Sequence, residues 1–169
     1  TYRGVHRRTR EKVILHLYDL SASEEKEPLR IEEREFRALQ VLQRSHFVPR
    51  FRDSLQELPD YPGEIWFFTV FDPDAPTVEK RAADEAWSLE QRVEFVREAI
   101  RALKDVHGLT DEQQVAIVHR NLSPTALLVG GRNRPVITDF ALARLPLTET
   151  IAKTRVAGPT GDWVAHEVR

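Results

Sequence analysis

The chain is 169 residues long, 41% hydrophobic and 31% charged, which suits one globular domain or a slice of a larger one and is too apolar for a disordered segment. Lys+Arg number 25 against 27 Asp+Glu, so the net charge of -2 gives the chain as a whole no basic field for a nucleic-acid backbone or a membrane surface. With zero cysteines, disulfides, Cys-ligated zinc, iron–sulfur clusters and thiol nucleophiles are excluded, and no apolar run reaches the roughly 18 residues of a membrane-spanning helix.

The first apolar run, Lys12-Val13-Ile14-Leu15-His16-Leu17, has the β-branched content of a buried strand. Acidic and polar residues follow from Ser21 to Glu27, and Pro28 fits the first turn of a helix. Phe36, Leu39 and Leu42 then recur at helical spacing, which predicts a helix over 28–44. The turn-prone Pro59-Asp60-Tyr61-Pro62-Gly63 leads into Ile65-Trp66-Phe67-Phe68-Thr69-Val70-Phe71, a dense run that reads as a buried strand. It stops at Asp72-Pro73-Asp74-Ala75-Pro76, where neither strand nor helix continues comfortably, and this is the expected boundary between units 1–71 and 72–169.

Ser88-Leu89-Glu90-Gln91 fits a capping box, opening a helix over 88–107. Leu89, Val93, Val96, Ile100, Leu103 and Val106 are expected on its buried face, and Gly108 is expected as a left-handed cap. Short strands are predicted over 126–129 and 135–138, divided by the turn Gly130-Gly131-Arg132-Asn133. Short strands with few helices ahead of one long helix suggest an α+β fold in two lobes.

Two later strings carry chemistry. His119-Arg120-Asn121-Leu122-Ser123-Pro124-Thr125-Ala126, and Asp139-Phe140-Ala141 18 residues after Asn121, resemble the catalytic and metal loops of protein kinases, written H-R-D-L-K-P-x-N and D-F-G in that family. His16 falls where the family has the Lys of its V-A-I-K strand, and Glu35, 19 residues on, where it has a helix Glu. Thr69 stands at the gatekeeper position, with Val70 to Asp72 as the hinge that hydrogen-bonds adenine. Gly158 to Val168 resembles the end of an activation segment, with Ala165-His166-Glu167 in place of A-P-E. The resemblance begins at the family's second strand (Tyr2-Arg3-Gly4-Val5) and stops after the A-P-E position. It therefore implies a two-lobed kinase-like fold truncated at both ends, without the Gly-rich loop and without the later helices of the lower lobe. The wording around Pro62-Gly63-Glu64, Val118 to Leu122 and Ala143-Arg144-Leu145-Pro146 is similar to kinase modules of large bacterial proteins, some with a nuclease-related (NERD) domain and some in phage-resistance systems.

The departures from the family pattern decide what chemistry to expect. Phosphoryl transfer needs positioned charge and a group to take the hydroxyl proton. At the catalytic Asp position Asn121 can accept a hydrogen bond but not a proton. Ala126 replaces the magnesium Asn and has no oxygen for a hard cation. Ser123 replaces a Lys, and His16 replaces the nucleotide-binding Lys with a shorter, mostly neutral group. Loss of the base alone slows such a reaction about 10²- to 10⁴-fold. Asp139 could hold one magnesium or equally accept hydrogen bonds from loop amides. Glu35 could pair with His16, although a Glu on a charged helix is more ordinarily solvated. Lys12, on the face of His16 by strand alternation, is a minor candidate to reach the cleft.

The resemblance thus implies a degenerate, pseudokinase-type domain with ATP and Mg²⁺ bound weakly or not at all. The alternative is an atypical active Ser/Thr kinase. His16, Glu35, Thr69, Val70, Asp72 and Asp139 are the expected nucleotide-facing residues, and Asp139 alone the metal ligand. The expected partners are other domains of the same polypeptide or a partner protein, with no direct nucleic-acid binding and no membrane. Cytoplasmic localisation is the default. Thr1 in place of Met makes a piece of a longer protein the expectation.

Overall fold

Structurally the first half of the chain is organised by alternation. The computed structural model describes residues 1–19, 27–109, 116–141 and 143, and within them the side chains of all but 27–34 and 55. Strands β1 (Tyr2–Val5), β2 (Lys12–Asp19), β3 (Phe51–Glu57) and β4 (Ile65–Phe71) form one antiparallel sheet in the order β1-β2-β4-β3. In β4 the even residues Phe68 and Val70 are buried, at 0% and 1% exposure, while their odd neighbours are only half-buried. That is the period-2 pattern of a strand with one face on a core.

The covering element is helix α1 (Glu27–Leu42), on which Glu35, Ala38, Leu39 and Leu42 share one buried face. Phe140, Ile117 and Ile137 join that face and Phe68 in one continuous core. A short helix α2 (Val78–Ala82) and the long helix α3 (Leu89–Gly108) follow, then the hairpin of β5 (Leu127–Gly130) and β6 (Arg134–Ile137). The sheet half and the hairpin half meet through the Ile137 amide, which donates to the Phe47 carbonyl at 2.7 Å. The α+β class is therefore as expected, with one core cluster shared between the sheet half and the hairpin half.

The predicted strand over 65–71 and the helix over 28–44 appear within two residues of their expected ends. The capping box is formed, with Ser88 Oγ accepting the Gln91 amide and Gln91 Oε1 accepting the Ser88 amide. Two expectations for α3 fail. Gly108 closes the helix without a left-handed φ, and Leu109 caps it in an extended conformation. Of the predicted buried face only Val106 is fully buried. Leu89, Val93, Val96 and Ile100 are exposed, and Phe95, Ala99 and Ala102 are buried instead. Phe95 wins because Trp87 meets it edge-on at 5.6 Å, with the Trp87 indole held by Asn133 Oδ1 at 3.0 Å. Strand β3 and helix α2 were not foreseen. The expected activation segment, including Thr148, Thr150, Thr154, Thr160 and 158–168, lies outside the described residues. Among the described residues, no helix is long and apolar enough to cross a membrane.

Candidate functional site

The register of β2 against β4 builds the upper part of the site. His16 stands opposite Phe68, and the two rings stack with centroids 4.5 Å apart and planes 7° from parallel. Two residues on, Tyr18 projects from the same face of the strand. Both side chains converge on Glu35 of α1, with His16 Nδ1 3.4 Å from Glu35 Oε2 and the Tyr18 hydroxyl donating to the same oxygen at 3.0 Å. Glu35 is 7% exposed, so the reading of a simply solvated carboxylate is overturned. Its place one turn before Leu39 puts it on the buried face of α1, where a charge without partners is costly. Burial pushes its pKa up, but the His16 hydrogen bond and charge, the Tyr18 hydroxyl and the Phe140 amide together hold it below the usual carboxylate value.

The lower part is the pair of loops carrying Asn121 and Asp139. Asn121 Nδ2 donates to Asp139 Oδ2 at 2.7 Å. Asp139 and Arg120 both hold a left-handed backbone, each with φ of 63°. Asp tolerates that region moderately, Arg poorly, so Arg120 is a point of stored strain. Ala141, in place of the family's Gly, has no positive φ, and the left-handed position falls on Asp139. Asp139 is exposed to solvent on one side, yet loss of water around its carboxylate and the nearby Glu35 charge push its pKa above the usual value, against the pull of His119, Asn121 and the Ala141 amide. Both readings of Asp139 were open, and its observed partners are loop amides.

His119 and Phe140 join the two parts. His119 is 2% exposed, its Nε2 lies 2.7 Å from the Thr138 carbonyl, and its Nδ1 accepts the Asn121 amide. The carbonyl must receive a proton and the Nδ1 must lack one, so the ring is the neutral Nε2–H tautomer. Phe140 is fully buried, packs edge-on against His119 at 4.6 Å and offers its amide to Glu35. Burial lowers the His119 pKa from 6.5, partly offset by the Thr138 carbonyl and Asp139. The folded state therefore binds this proton less readily than the unfolded state, and its contribution to stability is complete above pH 6.5 and lost as pH falls through the lower folded value. We expect denaturant stability to drop as the pH falls below 6.5, by no more than about 1.4 kcal/mol per unit from this group, and the drop to shrink in His119→Gln. An unchanged pH profile in that variant contradicts the assignment. Glu35 acts only in a lower window, contributing stability that is lost as pH falls below 4.5.

The hinge positions are occupied by the fold itself. The Phe71 amide donates to the Arg50 carbonyl at 2.8 Å and the Asp72 amide, one of the groups expected to face adenine, to the Lys12 carbonyl at 3.0 Å. The Asp72 carboxylate pairs with Arg3 at 3.3 Å. Val70 is a core residue, and Thr69 donates its hydroxyl to Asp53 Oδ2 at 2.8 Å. Lys12 does not turn to the cleft but pairs with Asp74 at 2.6 Å. Asp53 and Tyr18 were missed from the sequence. Tyr18 was within reach, two residues from His16 on one face of a strand, whereas Asp53 sits on the strand that was not foreseen.

A magnesium nucleotide does not fit this donor set. Asp139 faces an amide N–H₂ rather than a second oxygen ligand, and buried Ala126 supplies none. Among the described residues no group of three His, Asp or Glu side chains could hold a metal ion. The group opposite Glu35 is an imidazole rather than the Lys ammonium that the family uses there.

No family model matches the chain. A curated relative, named "Probable serine/threonine-protein kinase pknA2", from Bifidobacterium longum (strain NCC 2705), is 31% identical over 74 residues, which is 43% of this chain and 10% of the relative. The matched stretch is thus about a tenth of that protein's length. This weak, partial likeness supports only a distant relationship to the protein kinase superfamily, and Asn121, Ala126 and His16 stand where its usual catalytic and ATP-binding groups are expected.

Proposed function

We propose that this chain is a degenerate kinase-like (pseudokinase) domain that serves as a regulatory or scaffolding module in a larger, bacterial protein, such as the kinase-bearing proteins of phage-resistance systems. The observation that carries the proposal is the 2.7 Å hydrogen bond from the Asn121 amide to Asp139. Where a transferase would need a carboxylate to take a proton, this chain has an amide. That amide also ties up the one acidic group left to meet a metal. The His16–Glu35 contact, at the positions of the family's Lys and helix Glu, and the left-handed Arg120 beside Asn121 support this reading.

A folded-state ligand raises the melting temperature by mass action, by an amount set by its concentration over its Kd. The expected result is no Mg²⁺-dependent rise when ATP is added at millimolar level. A rise that requires Mg²⁺ and disappears in Asp139→Asn contradicts a site that holds no magnesium nucleotide and turns the module into a nucleotide-binding switch, whereas phosphate transfer is what supports the active-kinase reading.

A further inference from the structure

A net charge of -2 hides a local concentration of positive charge. The first twelve residues contain Arg3, Arg7, Arg8, Arg10 and Lys12 against the single carboxylate of Glu11, which is +4, so the remaining chain carries -6. The residues at the strand bases are neutralised, Arg3 by Asp72 and Lys12 by Asp74. The tip of the β1–β2 hairpin is different. Arg7, Arg8 and Arg10 are all exposed, and among the described residues none of their side chains makes a hydrogen bond or ion pair. Glu11 does not serve them, because its carboxylate is taken by the Thr9 hydroxyl at 2.5 Å and by Arg52 Nε at 3.2 Å.

The backbone beneath these three arginines is fixed. The His6 amide donates to the Glu11 carbonyl and the Arg10 amide to the His6 carbonyl, each at 2.8 Å, and His6 Nδ1 accepts the Thr9 amide at 3.2 Å. Arg10 stands at φ 63°, a position that favours Gly or Asn. The turn fixes the three backbones side by side, while the exposed guanidiniums keep their rotamer freedom and must give it up when a ligand docks. Guanidinium is the group best matched to carboxylate and phosphate oxyanions.

We propose that the β1–β2 hairpin tip docks a short acidic segment of a partner protein, one that places two or three carboxylates or phosphoryl groups within a few residues. A nucleic acid fits less well. Its phosphate backbone would run on past the tip over a body of charge -6, three contacts give only a weak hold, and the one ring at the tip, His6, is already hydrogen-bonded rather than free to stack on a base. The proposal is independent of the reading of the cleft, since neither Asn121 nor Asp139 takes part.

The test uses the 169-residue chain and a fluorescent peptide of alternating Glu and Gly, with a second peptide carrying two phosphoserines, by anisotropy at low salt. The variant Arg7→Glu/Arg8→Glu/Arg10→Glu is compared with Arg97→Glu/Arg101→Glu/Lys104→Glu on α3, which has the same net charge, and with Arg7→Gln/Arg8→Gln/Arg10→Gln, which reverses no charge. The expected result is a loss of affinity of about tenfold or more in both tip variants, less than about threefold in the α3 variant, and weaker binding by the parent as salt rises. Equal losses in tip and α3 variants, or no loss in either, overturn the proposal. So does tip-dependent binding of a DNA or RNA duplex, or of an anionic lipid vesicle, that is tighter than either peptide at the same salt.

Discussion

Replacing Phe68 with alanine is expected to destabilise the chain by about 3–5 kcal/mol, the range for truncating a large aromatic in a well-packed core. Phe68 is 0% exposed and touches four other rings: His16 in a parallel stack, Tyr18 at 5.9 Å, Phe36 at 5.7 Å and Phe51 edge-on at 5.6 Å. These rings come from β2, α1 and β3, so the cavity would open at the junction of the sheet with its covering helix. The effect reaches the site as well. His16 would lose the surface it stacks on and with it the orientation that aims Nδ1 at Glu35. A shift of the denaturant midpoint, with the slope unchanged, measures the loss. A cost below about 1.5 kcal/mol contradicts the claim that this ring organises both core and site.

The second large effect is expected from Asn121→Asp, which puts back the residue type of an active kinase. In a site built for catalysis that change should help. Here it removes the N–H₂ donor that Asp139 uses and places a second carboxylate beside one whose pKa burial and Glu35 have already raised. At this exposed loop water replaces part of the lost hydrogen bond and screens the added repulsion, so the cost is about 1 kcal/mol. The sign of the pH dependence follows. Both carboxylates favour the proton in the folded state, so the penalty is present at neutral pH and is relieved as the pH falls and the pair comes to share a proton. Urea titrations at neutral and mildly acidic pH should therefore show the gap between variant and parent narrowing toward acid. A variant as stable as the parent at pH 7 indicates that the Asn121–Asp139 contact is not a structural bond.

Part of this was legible in the residues alone, because it rests on local periodicity and spacing. The alternation in Ile65–Phe71, the 3.6-residue recurrence through Leu42 and the Ser88/Gln91 box are local codes, and the structure follows them. The convergence of Asn121 and Asp139 was suggested by two strings at a familiar separation, and the loops do bring the two side chains into contact. Failures arise where tertiary packing chooses among local options. Helix α3 has two apolar stripes. Leu89, Val93, Val96 and Ile100 form the more regular one, yet the stripe carrying Phe95, Ala99 and Ala102 is the one covered, because Trp87 and β5 lie on that side. Periodicity cannot see which side a neighbour will take.

The misreading of Glu35 is of another kind. Its spacing to Ala38, Leu39 and Leu42 put it on the apolar face, and that pattern was available. The abundance of charge around it on the helix argued for solvation and outweighed the spacing. Its partners His16 and Tyr18 come from a strand well before it in sequence, and only the packing of β2 under α1 brings them together. Strand β3 escaped notice because Arg52, Asp53, Gln56 and Glu57 break the apolar pattern, and register shifts against β4 disturb the alternation further.

The central claim is that a kinase-like arrangement persists here without the groups that move a proton and grip a triphosphate. Transfer of labelled γ-phosphate from ATP with Mg²⁺ to a Ser/Thr peptide, by the parent chain beside Asp139→Asn, tests it most directly. We expect the two proteins to be indistinguishable from each other and from a reaction without protein. Incorporation by the parent that is well above that background and abolished by Asp139→Asn would contradict the account.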